Sequence, residues 1–147
     1  MRRTSMALLG ATLAVAALAM PAAAAQGFTT FQVTLLPAGD PDGSGSAVLE
    51  TDAKNEAVCY EIHTQNVTTP ITEAAIVNAE TGAVVELIVI DRGPDLVECV
   101  SVSRFQGHAR QEIRRMGKDP SGYFLELYNA EHPSSPGAVR GQLEGVS

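Results

Sequence analysis

Ser121-Gly122-Tyr123-Phe124-Leu125-Glu126-Leu127-Tyr128-Asn129-Ala130-Glu131-His132-Pro133, followed by Pro136-Gly137-Ala138-Val139-Arg140-Gly141-Gln142-Leu143, carries the clearest structural signal in the chain. It reads as a β-hairpin: an aromatic-rich arm, a connection bearing Pro and Gly, and a Gly-Ala-Val-Arg-Gly-Gln-Leu arm. Alternation sets Phe124, Glu126 and Tyr128 on one side of the first arm. Glu126 reads as an outward-facing strand residue, and the Tyr128 side as a contact surface. A carboxylate among aromatics is also the setting that raises the pKa of a catalytic acid, so Glu126 is the candidate for acid chemistry. Arg140, in the second arm, reads as the partner of a neighbouring carboxylate or backbone carbonyl.

Upstream of the hairpin the same period of two recurs. Phe31, Val33 and Leu35 alternate with Thr30, Gln32 and Thr34, the pattern of a strand buried on one side. A loop dense in Gly, Asp and Pro runs from Pro37 to Ser46, and Ala47 to Thr51 and Glu56 to His63 form strands around the turn Asp52-Ala53-Lys54-Asn55. Further strands are expected at Ile71 to Ala79, Ala83 to Ile90 and Leu96 to Val102. One segment departs from this: beyond Ser103, a candidate N-cap, Phe105, Ala109, Ile113 and Met116 recur at helical spacing until Gly117. Arg110, Arg114, Arg115 and Lys118 then read as a solvated face towards the end where cations suit the helix dipole. The expected fold is all-β: an immunoglobulin-like or Greek-key β-sandwich, or a barrel, of about eight strands with one short helix.

The first 25 residues read as a secretion signal. Arg2 and Arg3 precede an uncharged apolar run from Ala7 to Met20, Pro21 breaks it, and Ala23-Ala24-Ala25 offers the small residues of a cleavage site. The expected organisation is a signal peptide over 1–25 and one domain over 26–147, with no stable membrane span in the mature chain. The chain carries 10 basic and 17 acidic residues. Loss of two arginines with the signal makes it more acidic still, which disfavours nucleic acid as a partner.

Cys59 and Cys99 are the only cysteines, and an exported chain with two favours a single disulfide between them. A redox pair or shared metal lacks the Cys-x-x-Cys spacing. His63, His108 and His132 show no metal-site spacing and read as scattered surface residues. Asp40, Asp42 and Ser44 are similar to the start of a calcium loop, but Thr51 stands where its closing Glu belongs, so a solvated turn is the better reading. No nucleophile elbow, zinc-protease motif or phosphate loop occurs. Asn66-Val67-Thr68 is a glycosylation sequon by pattern.

Taken together, Gly39 to Gly45, Val58-Cys59-Tyr60, Cys99, Pro120-Ser121-Gly122-Tyr123 and the Gly137 to Leu143 ending resemble the CHRD domain. That family is named for chordin and is found in many secreted microbial proteins. The resemblance spans most of the region after the signal and implies an extracellular β domain without established enzymatic chemistry. Relatives typically show Ala-His-Ile-His in the middle strand and a further His in the hairpin. Here Ala74-Ala75-Ile76-Val77 and Tyr128 stand in those places, so that imidazole set is missing. The sequence therefore points to a secreted, non-catalytic binding or structural module. Its partner would be an unknown protein or cell-surface component, and no cofactor, metal ligand or catalytic residue is assigned. Cys59 and Cys99 are its disulfide; Glu126, Tyr128 and Arg140 are its candidate contact surface. The alternative is an extracellular metal- or ligand-binding protein, of redox-related chemistry or not, that uses other residues, His63 or His132 among them.

Overall fold

The two hairpin arms form β7 (Tyr123–Asn129) and β8 (Val139–Gly145), antiparallel and in register from Phe124 opposite Gln142 to Leu127 opposite Val139. The computed structural model describes residues 28–87, 89, 92–102 and 108–146. The expected signal peptide over 1–25, its cleavage after Ala25, and the helix positions Ser103 and Phe105 lie outside the described residues.

The remaining strands are β1 (Phe28–Pro37), β2 (Ser44–Asp52), β3 (Ala57–Gln65), β4 (Ile71–Asn78), β5 (Val84–Leu87) and β6 (Asp95–Ser101). All pairings are antiparallel, in the order β5-β4-β7-β8-β1-β2-β3-β6. The eight-stranded sheet curls over on itself into a nearly closed, sandwich-like barrel, so the all-β expectation holds. Strand β8 joins the two halves, pairing with β7 on one side and β1 on the other.

The alternation read in the sequence is the alternation of burial. Phe31, Val33 and Leu35 point into the core while Gln32 and Thr34 are exposed. Leu49, Ile62, Ile76, Leu125 and Leu143 meet them inside. Full burial of each such side chain contributes about 1.5–3 kcal/mol. Between β6 and β7, α1 (Ala109–Met116) buries Ala109, Ile113 and Met116 in the same core. His108 occupies the N-cap position without a side-chain cap bond, and Gly117 is the C-cap.

Glu112 also lies on the buried face of α1, which the apolar spacing did not reveal. Its carboxylate accepts the Tyr123 hydroxyl at 2.8 Å and the Arg115 guanidinium at 2.8 Å. Burial, then the Glu112 hydrogen bond, pushes the Tyr123 hydroxyl up to about 12. Arg110 pairs with Glu56. Arg110 stands in the first turn of α1, not near its C-terminal end as expected, and Arg115 in the last; both hold carboxylates as well as facing solvent.

Candidate functional site

Three polar groupings stand out on this frame. The first is the outer face of the closing hairpin, where the sequence placed the contact surface. Phe124, Glu126 and Tyr128 share one side of β7 as expected, but Glu126 is fully buried and Tyr128 nearly so. The expectation of an outward, accessible Glu126 and Tyr128 surface is corrected. The connection between β7 and β8 returns over this side, and Ser135 Oγ donates to Glu126 Oε1 at 3.2 Å. Tyr128 folds its hydroxyl onto Glu126 Oε2 at 2.6 Å. Arg140, opposite Glu126 on β8, brings Nε to 3.1 Å from Oε1 as an ion pair without hydrogen-bond alignment, and stacks 3.8 Å above the Phe124 ring. Arg140 stays partly exposed, so it alone of the three reaches solvent. Burial first, then the Glu126 hydrogen bond, raises the Tyr128 hydroxyl far above its ordinary value. Both Glu126 oxygens are engaged by fixed groups, an arrangement suited to holding the hairpin closed.

The second grouping joins the β1–β2 loop to the hairpin connection. Asp40 is buried, not solvated as its Gly- and Asp-rich loop suggested. Its Oδ2 accepts the Thr68 N–H at 2.9 Å and the Asn129 amide at 3.1 Å, and its Oδ1 lies 3.1 Å from His132 Nε2. These partners hold the Asp40 carboxylate in place, whereas Asp42 of the same loop is exposed. Asn129 also accepts the backbone N–H groups of Glu131 and His132, at 3.1 and 2.8 Å. His132 is thus no scattered surface histidine. Gly39 makes room for it, because a Cβ there would overlap the imidazole ring.

The third grouping is the outer face of β2, β3 and β6. Cys59 and Cys99 are directly opposite in the β3–β6 register and form the expected disulfide across a sequence separation of 40. Beside it the register sets Val48, Glu61 and Val97 in one row and Ser46, His63 and Asp95 in the next. Val48 is 40% and Val97 69% exposed. His63 Nδ1 lies 2.7 Å from Asp95 and Nε2 3.0 Å from Glu61. The Asp95 hydrogen bond, then the Glu61 one, raises the imidazole above its ordinary value. His108 Nε2 sits 3.0 Å from the Val84 carbonyl oxygen. Asn66 of the sequon is exposed, its amide donating to the Asp42 carbonyl at 3.4 Å.

Alternation located the faces of these strands, but the Asp40–His132 contact joins loops far apart in sequence and left no local pattern. Among the described residues, no helix is long and apolar enough to cross a membrane. A family model described as the CHRD domain matches residues 26–143. No curated protein and no solved structure matches the chain.

Proposed function

The chain belongs to the CHRD domain family, and from that premise we propose that it is a secreted, non-catalytic binding module whose contact surface is the outer face of β2, β3 and β6. The observation that carries this reading is the make-up of that face. Two exposed valines, Val48 and Val97, stand among Glu50, Glu61 and Asp95, and the Cys59–Cys99 bridge fastens the terminal strand β6 to β3. A small apolar centre with an acidic surround suits a basic protein or cell-surface polymer, with apolar contact at the middle and charge at the rim. The bridge keeps β6 in register when its outer edge is approached.

Extracellular residence is supported by the disulfide, which belongs to oxidising compartments, and by the signal-like pattern of residues 1–25. The non-catalytic part of the proposal is supported by the fate of Glu126, whose oxygens are occupied by Tyr128, Ser135 and Arg140 and shielded from solvent. Intact-mass spectrometry on protein recovered from the medium of the producing cells tests residence: the expected mass is that of 26–147 with one disulfide. A full-length or reduced, cell-retained chain contradicts it. Turnover of any extracellular substrate that one point substitution abolishes contradicts the non-catalytic assignment.

A further inference from the structure

We infer that Asp40, Glu131 and His132 form a binding site for a divalent cation of the zinc type, separate from the contact face above. One ligand atom from each of the three lies within 4.8 Å of the others. They converge from two loops, one after β1 and one after β7, so the site exists only in the folded chain. Zinc takes imidazole nitrogen and carboxylate oxygen at about 2.0–2.2 Å. Two such ligands on one ion stand about 3.0–3.4 Å apart, depending on coordination geometry. His132 Nε2 and Asp40 Oδ1 are 3.1 Å apart. The exposed Glu131 carboxylate has the freedom to swing onto an ion held by the other two.

The support around these ligands is what distinguishes the group from a chance surface cluster. Asn129, almost wholly buried, meets the Asp40 side chain and the main chain of Glu131 and His132. Its amide nitrogen donates to Asp40 Oδ2, and its oxygen accepts the main-chain N–H of both Glu131 and His132. Thr68 N–H donates to the same Asp40 oxygen. Oδ2 is therefore fixed from behind, while Oδ1 is turned towards the imidazole. The two hydrogen bonds on Oδ2 orient the Asp40 carboxylate as outer partners of a metal ligand do. The imidazole itself lies against Gly39, where any side chain would displace it. Three protein ligands leave room for water or a partner's ligand on the ion. Imidazole with two carboxylates suits zinc, whereas calcium selects oxygen alone.

The test is isothermal titration of zinc chloride into the purified, oxidised full chain, beside calcium chloride, with thermal melts in each metal. The expected result is one zinc per chain, a melting temperature raised by zinc, and no matching response to calcium. Glu131→Gln, a change at an exposed side chain, is expected to keep the zinc-free melting temperature and to weaken zinc binding about tenfold or more. His132→Asn is expected to weaken it further. Absence of stoichiometric zinc binding overturns the inference. So does a Glu131→Gln protein that binds zinc as tightly as the wild type, or tighter binding of calcium than of zinc.

Discussion

Replacing Arg140 with Met isolates the claim that Glu126 is a structural group. The wild-type carboxylate is fully buried and has three neighbours: Arg140 Nε at 3.1 Å, Tyr128 Oη at 2.6 Å and Ser135 Oγ at 3.2 Å. Removing one partner of a buried ion pair typically costs about 3–5 kcal/mol, because the other charge is left uncompensated. Two features pull the cost down: the Arg140 side chain is 32% exposed, and two hydroxyl donors remain on Glu126. Loss of the guanidinium from the Phe124 ring adds back about 0.5–1 kcal/mol. The net expectation for Arg140→Met is a loss of about 3 kcal/mol. With a urea m-value of about 1.5 kcal/mol/M, the unfolding midpoint falls by about 2 M. Glu126→Gln combined with Arg140→Met removes the stranded charge and keeps the acceptor for Tyr128. The double variant is therefore expected to recover more than half of the loss. Urea denaturation followed by tyrosine fluorescence, with the disulfide intact, reads all of these values. An Arg140→Met loss below about 1 kcal/mol, or a double variant no better than the single, refutes the reasoning.

Gly137 has φ +77 and its missing Cβ would meet the Leu127 carbonyl oxygen, whereas Gly82 has φ +70 with open space around it. Gly137→Ala is expected to cost about 2–3 kcal/mol and Gly82→Ala about 1 kcal/mol in the same denaturation assay; equal costs contradict the packing argument. Replacing Cys59 and Cys99 with Ala opens a crosslink across a separation of 40. The expected loss is about 3–4 kcal/mol, and an unchanged urea midpoint contradicts the bridge's structural role. For His63, the charged form is favoured in the folded protein, so its contribution to stability is complete below the ordinary value of 6.5 and is lost as pH rises through the raised folded value. NMR titration is expected to place its midpoint above 6.5, and Asp95→Asn to lower it; a midpoint indifferent to Asp95→Asn contradicts the assignment.

Much of this architecture was legible from period-two patterning. The alternation of Phe31, Val33 and Leu35 matched their burial, and the closing hairpin and the disulfide pairing were read in place. Alternation says which residues share a face, however, and not whether that face is covered. Glu126 lay on the side expected of it, but the connection carrying Ser135 folds over that side and buries it. Glu112 was hidden for a related reason: a charged residue in an amphipathic helix reads as solvated until a buried Tyr123 hydroxyl is found to meet it. The Asp40–His132 contact depends on how two distant loops close, and His63 gained Asp95 only through the β3–β6 register. Neither is a property of local sequence.

Binding of the purified, oxidised protein to the outer surface of the cells that produce it probes the proposed contact face, with wild type, Glu61→Lys/Val97→Lys and Glu126→Gln compared side by side. Saturable binding is expected of wild type and of Glu126→Gln, with loss of that binding when the acidic, apolar-centred face of β2, β3 and β6 is reversed in charge. Undiminished binding by Glu61→Lys/Val97→Lys, with folding of every variant verified by its melt, would contradict it.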